Sequence, residues 1–98
     1  MKILPEIVFF DWDKGNINKS FKKHEVTNKE AEEIFDSKPK FIFVDIRHSL
    51  QEKRYMIWGF TKNKRFLSII FTIRSNKIRI ISARDMNKKE RSNYEKKI

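Results

Sequence analysis

Phe66-Leu67-Ser68-Ile69-Ile70-Phe71-Thr72-Ile73-Arg74-Ser75-Asn76-Lys77-Ile78-Arg79-Ile80-Ile81-Ser82-Ala83-Arg84 reads as two strands joined by a tight turn. Residues 66–73 are rich in β-branched and aromatic side chains, which suit a pleated, half-buried surface. The polar segment 74–77 reverses the chain, and 78–83 forms the next strand. Upstream, 54–60 reads as another strand and 61–64 as a turn, so 54–83 is an antiparallel meander. Before it, 41–46 is nearly all apolar and reads as a strand buried on both faces, with 47–53 as a polar connection.

The flanking segments change to helical period. Asp13 can cap a helix over 14–24, with Ile17, Phe21 and His24 on one face. Thr27 and Glu30 form a capping box, and Val26 and Ala31 stand at the staple positions around it. The helix they open runs to about Phe35, with Ala31, Ile34 and Phe35 inward, and 36–39 ends it. A short apolar run at 7–10 suits an edge strand. Beyond the meander, Asn87 and Glu90 form a second capping box that opens a terminal helix. The expected architecture is a single α+β domain over residues 1–98: two N-terminal helices, a four-stranded, mainly antiparallel sheet, and a C-terminal helix. Helices should cover one sheet face and leave the other open with a basic rim.

Composition narrows the function. The chain has 98 residues, 23 Lys/Arg against 13 Asp/Glu, and a net charge of +10. From Arg74 to the end there are nine Lys/Arg and three Asp/Glu, so this last quarter carries +6 of that total. Clustered cations on regular elements suit a polyanion such as nucleic acid, or an acidic protein. There is no cysteine, which excludes a disulfide framework and thiolate zinc sites. Two histidines alone make no metal site, so no metal or cofactor is expected. No window has the roughly 18–20 apolar residues of a membrane span, and residues 1–6 do not read as a signal peptide. A cytoplasmic protein is expected. The terminal helix has only Met86, Tyr94 and Ile98 as apolar residues and is a poor membrane-surface element.

Three stretches carry a family resemblance. Phe10-x-Trp12-Asp13-x-Gly15-Asn16-x-x-Lys19, continuing to Lys23-His24-x-Val26-Thr27, resembles the opening of the BrnT toxin family. So do Arg54-Tyr55-x-x-x-Gly59-x-Thr61, Arg65-x-Leu67, Phe71-Thr72-x-Arg74 and, most strongly, Ile78 to Arg84 with Met86, Glu90-Arg91 and Tyr94-Glu95. The resemblance spans roughly residues 9–96. It implies a RelE-like ribonuclease fold and the toxin of a type II toxin–antitoxin pair, one that cuts RNA and inhibits translation. It also implies a cognate BrnA-like antitoxin that neutralises the toxin and, in complex with it, represses its own operator DNA. Three loop positions depart from the family pattern. Glu25 stands where a Gly often follows Lys-His, Ile46 and Arg47 precede the His48-Ser49 pair where a Pro is common, and Lys64 replaces a turn Gly.

RNA cleavage that uses the substrate's own 2′-hydroxyl needs a base, a cation at the phosphorane and an acid for the leaving oxygen. Arginine suits the cation role because its planar fork pairs with two phosphate oxygens. Arg79 and Arg84 are the first candidates; otherwise they are solvated strand-end charges. Strand alternation puts Arg79 opposite Ile78 and Ile80, and puts Arg84 with Ile80 and Ser82 unless a bulge intervenes. His24 is the candidate base at the end of the first helix, or else a partly buried capping residue. Tyr94 completes the catalytic set, and can equally be the packing anchor of its helix. Lys23, Arg54, Arg65, Ser82, Lys88 and Arg91 are the RNA-binding candidates. His48 reads as a surface loop residue, and the capping box accounts for Glu90. The competing reading is a non-catalytic basic nucleic-acid-binding module, either a DNA-binding repressor component or a degenerate toxin. A purely structural interaction domain is the third.

Overall fold

The computed structural model describes residues 3–46 and 51–98. The meander forms as its alternation predicts. Strands β1 (Phe41–Val44), β2 (Arg54–Phe60), β3 (Phe66–Arg74) and β4 (Lys77–Asp85) make one sheet in the order β1-β2-β3-β4, every pair antiparallel. Arg74 pairs with Lys77 across a two-residue turn. Ser75 and Asn76 both take positive φ there, the backbone twist that suits a tight hairpin. Three α-helices flank the sheet: α1 (Lys19–His24), α2 (Asn28–Glu33) and α3 (Lys88–Lys97), with a 3-10 turn at Ile34–Asp36 after α2.

The two sheet faces differ. One carries Ile57 of β2, Leu67, Ile69 and Phe71 of β3, and Ile78, Ile80 and Ala83 of β4. These pack with Val26, Ala31, Ile34 and Phe35 from the helical segment into the core. Phe35 meets Phe10 and Phe71 edge-on, with ring centroids 5.3 and 5.1 Å apart. On the other face lies α3, anchored by Tyr94, which is fully buried, packs against Phe41 and Phe66, and donates its hydroxyl to the Pro39 carbonyl at 2.5 Å. Helices therefore touch both faces, and α3 occupies one end of the face expected to be open.

A bulge sets which β4 residues go where. Phe71 pairs with Ile80, but its neighbour Ile70 pairs with Ser82, so Ile81 is the extra residue. Past it the side-chain parity inverts. Ala83 joins Ile80 in the core, while Ser82 and Arg84 turn to the face that already holds Arg79. The N-terminal segment closes the outer edge of β4. Ile78 exchanges backbone bonds with Phe9 and Asp11, Asn16 Nδ2 donates to the Ile80 carbonyl at 3.1 Å, and the Ala83 amide donates to Ser20 Oγ at 2.8 Å. The edge strand expected at 7–10 is this segment, reduced to a single parallel bridge from Phe10 to Ile78.

Two expectations need correction. The first helix begins at Lys19 rather than at 14, because Asn18 is left-handed with φ 60° and breaks the helical path. Asp13 and Asn16 instead build a turn in which the Asp13 carboxylate accepts from the Gly15 amide and Asn16 Oδ1 from the Asp13 amide. Ile17 and Phe21 are consequently 44% and 51% exposed. The 41–46 strand, expected to be buried on both faces, is an edge strand that ends at Val44, with Val44 and Ile46 exposed. Arg47 and His48 lie outside the described residues. Both capping boxes form as expected, Thr27 with Glu30 at 3.0 and 3.0 Å and Asn87 with Glu90 at 3.0 and 2.8 Å.

The departures at Glu25 and Lys64 now have a backbone meaning, since both are left-handed, with φ 56° and 65°. Glu25 is the C-cap of α1, and its amide and the next close the helix on Phe21 and Ser20. Left-handed strain of about 1–2 kcal/mol, set against the extra backbone entropy of glycine of about 0.5–1 kcal/mol, gives a net gain for Glu25→Gly of about 0.5–1 kcal/mol. Gly59→Ala should act in the opposite direction. A Cβ there would lie inside contact distance of Ser37 Oγ and 2.9 Å from Ile34 Cγ2, both in a packed region, at a cost of about 1–3 kcal/mol. Urea unfolding of the two variants beside the parent tests both signs; a destabilised Glu25→Gly protein would show that the cap is not strained.

Candidate nucleic-acid interface

Cross-strand pairing lays out the face opposite the core as three rows. Phe41, Trp58, Ser68 and Arg84 form the first, beside α3; Phe43, Met56, Ile70 and Ser82 form the second; Arg54, Thr72 and Arg79 form the third. Apolar side chains hold the middle, and the arginines and Ser82 stand around them. Of the sequence candidates, Arg54, Arg79, Ser82 and Arg84 are thus brought to one face, with Lys88 and Arg91 on the helix that caps it. Arg91 lies over the Phe66 ring, its guanidinium carbon 3.5 Å from the centroid. It also reaches Glu95 at 3.4 Å.

Arg79 and Arg84 do not converge on one point. Their β3 partners Thr72 and Ser68 are four residues apart, about 13 Å along the strand. Each guanidinium turns to its own carboxylate. Arg79, with a side chain 10% exposed, makes a two-point pair with Asp13 at 2.8 and 3.0 Å and reaches Asp11 at 3.5 Å. Gly15 permits this, because a Cβ there would lie 2.6 Å from Arg79 Nη2. Arg84 makes a two-point pair with Glu90 at 2.6 and 3.0 Å, and Glu90 also accepts from Ser68 Oγ at 3.3 Å and from the Asn87 amide at 3.0 Å. The capping box thus does a second task that its sequence pattern does not reveal: the same carboxylate that opens α3 fixes Arg84.

The remaining candidates sit elsewhere. Lys23 is exposed on α1, and His24 ends that helix, on the side of the core. Arg65 ties this corner together. It pairs with Asp85 at 2.7 and 3.0 Å, reaches Glu30 at 3.4 Å and donates to the carbonyls of His24 and Glu25 at 3.1 and 2.8 Å. Arg65 is thereby consumed in joining α1, α2 and the end of β4. Tyr94 is the anchor of α3, its hydroxyl spent on Pro39. The Arg84 guanidinium donates to the Asp85 carbonyl at 3.1 Å, and the His24 charge adds to the field on the Asp85 carboxylate.

The pairs shift titration in a consistent direction. Arg65 holds the Asp85 carboxyl below the usual range, with help from its charge and that of His24. Burial pushes Glu90 upward, but the bonds from Arg84, the Asn87 amide and Ser68 outweigh it and leave Glu90 lowered. The hydrogen bond from Arg79 lowers Asp13. Glu90 is accordingly a holder of Arg84 and a poor proton acceptor. Among the described residues no three His, Asp or Glu side chains gather into a metal site, and no helix is long and apolar enough to cross a membrane.

A family model for the ribonuclease toxin BrnT of type II toxin–antitoxin systems matches residues 12–90. The chain belongs to this family. It is thereby placed among ribonuclease toxins whose systems pair toxin with antitoxin. No curated protein sequence matches it significantly. The geometry explains what the opening motif of this BrnT chain does: Asp13 and Gly15 seat Arg79, Asn16 satisfies β4, and Trp12 donates its indole N–H to Glu32 at 2.6 Å.

Carboxyls lowered in the fold add stability above their ordinary value and lose it as pH falls through the lowered one. Stability should therefore decline below about pH 4.5, the ordinary glutamate value. Glu90→Gln and Asp85→Asn should each be less stable at pH 7 and should lose less between pH 7 and pH 3 than the parent does. Urea midpoints at the two pH values measure this; an unchanged difference in either variant would remove that pair from the account.

Proposed function

We propose that this chain is an endoribonuclease that cuts RNA without a metal ion, using the 2′-hydroxyl next to the scissile phosphate, and that it thereby inhibits translation. The observation that carries this is the BrnT family match over residues 12–90. Supporting it is the bulge that sets Arg79, Ser82 and Arg84 on one face. Arg84 is the phosphate contact: its side chain is 37% exposed, Glu90 and the Asp85 carbonyl take three of its five N–H donors and fix its plane, and the remaining donors are left for phosphate. Arg79, about 13 Å away along the strand, is nearly buried and held by Asp13 and Asp11, so it supports this face rather than touching the same phosphate. Arg54, Lys88 and Arg91 extend the track, while Lys23 and the other surface lysines add attraction that is blind to sequence.

His24, the one imidazole among the described residues, is the proposed proton carrier, acting at the end of β4 beside Asp85. Neutralisation by a cognate BrnA-like antitoxin follows from the same surface. Acidic side chains laid on it would occupy the arginines that RNA needs. Binding of operator DNA belongs to that complex, and the site of action is the cytoplasm.

The test is cleavage of an end-labelled RNA by purified protein in EDTA. Products should carry 2′,3′-cyclic phosphate ends. Arg84→Ala should lower the rate about 100-fold or more, and His24→Gln about 100-fold. Intact RNA, or cleavage abolished by EDTA and restored by a divalent cation, would overturn the reading. So would variants that cut at the parent's rate.

A further inference from the structure

The middle of the arginine-bearing face is a groove, and we infer that it is a subsite for one unpaired nucleobase of the bound RNA. The inference rests on the ribonuclease reading and adds a substrate feature to it.

The groove has a volume of about 620 Å³, within the size range of pockets that take small organic ligands. Phe43, Met56, Trp58 and Ile70 form its apolar surface, and Arg84 and Asp45 are its charged lining residues. Phe43 and Trp58 meet edge-to-face at 4.8 Å. Ile70 is on a central strand, and Met56 is on another. Both are only half-buried, because the helix on this face lies over the first cross-strand row. An apolar centre left open to solvent is the kind of surface that marks an interaction site. The Trp58 indole N–H is buried and has no acceptor among the described residues. Two cations flank the apolar surface: Arg84 on one side, and Lys97, whose ammonium is 5.6 Å from the Phe43 ring centroid, on the other.

An aromatic surface between cations has the chemistry of a nucleotide: a flat, weakly polar ring joined to phosphates. Arg84 already pairs with Glu90, so a purely apolar peptide would leave Lys97 facing no anion, and the net charge of +10 favours the polyanion. Base stacking here would place the adjoining phosphate at Arg84, in the row next to the groove. The base then positions the scissile bond, and Phe43 and Trp58 are positioning residues.

Binding of an uncleavable 2′-O-methyl octaribonucleotide should be compared with binding of the same strand carrying abasic residues, each measured by anisotropy. The parent should prefer the intact strand about tenfold or more. Phe43→Ala should bring the ratio close to one and leave affinity for the abasic strand unchanged. Phe43 is half-exposed on an edge strand, and thermal unfolding checks that the variant is folded. The parent ratio stands without any variant, and indole emission gives a second readout: quenching by the intact strand and none by inorganic polyphosphate. A parent ratio near one in a protein that still cuts RNA sinks the subsite alone. Equal binding of both strands, with Phe43→Ala losing only its antitoxin, assigns the groove to protein docking and also sinks it. If neither strand binds and RNA is not cut, the nuclease reading fails with it.

Discussion

A single extra residue in β4 governs both the core and the interface. Under strict alternation Ile78, Ile80, Ser82 and Arg84 would share a face, and a serine and an arginine would enter the apolar layer beneath α1 and α2. The cost of burying an unpaired guanidinium there would exceed what the small core can offset. The bulge at Ile81 inverts the parity after Ile80, so Ala83 meets Ile69 in the core and Arg84 meets Ser68 outside. β4 is also the outer strand, and side chains take up its edge groups on either side of the bulge. Asn16 donates to the Ile80 carbonyl and Ser20 accepts from the Ala83 amide. The N-terminal loop thus protects a sheet edge and supports the parity change that the arginines depend on.

Charge is divided between two kinds of cation. The arginines on or beside the interface have protein partners: Arg79 with Asp13, Arg84 with Glu90, Arg91 with Glu95 over Phe66, and Arg74 with Glu52 at 2.7 and 2.9 Å. Arg54 is also engaged in the protein. Such pairs on a partly exposed surface add little stability on their own, but they fix the plane of each guanidinium. The lysines are mostly solvated on α1, α3 and the turns, where they supply a long-range field. The long-range field and the fixed guanidinium planes thus belong to different residues. The total of +10 reports the first and says nothing about the second.

Much of this was legible in the sequence, for identifiable reasons. The meander follows from period two and short polar turns. The capping boxes follow from local hydrogen bonding that needs no tertiary context, and both form as read. The length of the first helix was not legible, because Asp13, Gly15 and Asn16 look like a helix start, yet their side chains serve β4 and Arg79. Nor was the exposure of β1, since a wholly apolar run reads the same at a sheet edge as at its centre. Arg65 read as a phosphate contact because sequence cannot show that it spans Asp85, Glu30 and two helix-end carbonyls. The bulge was an open alternative, and only pairing could decide it.

The second role of Glu90 shows why sequence patterns undercount functional residues. Its place three residues after Asn87 satisfies the capping pattern completely, so nothing local calls for more. Yet a carboxylate has about four acceptor positions, and the cap uses one. Ser68 takes another, and the Arg84 fork takes the rest. Opening α3 at this point therefore also sets the angle of the arginine beside it, and Tyr94, one turn further along, locks the helix down through Phe41, Phe66 and the Pro39 carbonyl. A change that loosens α3 would reach Arg84 through Glu90 without touching either residue. The packing of the terminal helix and the aim of the Arg84 guanidinium are consequently one constraint.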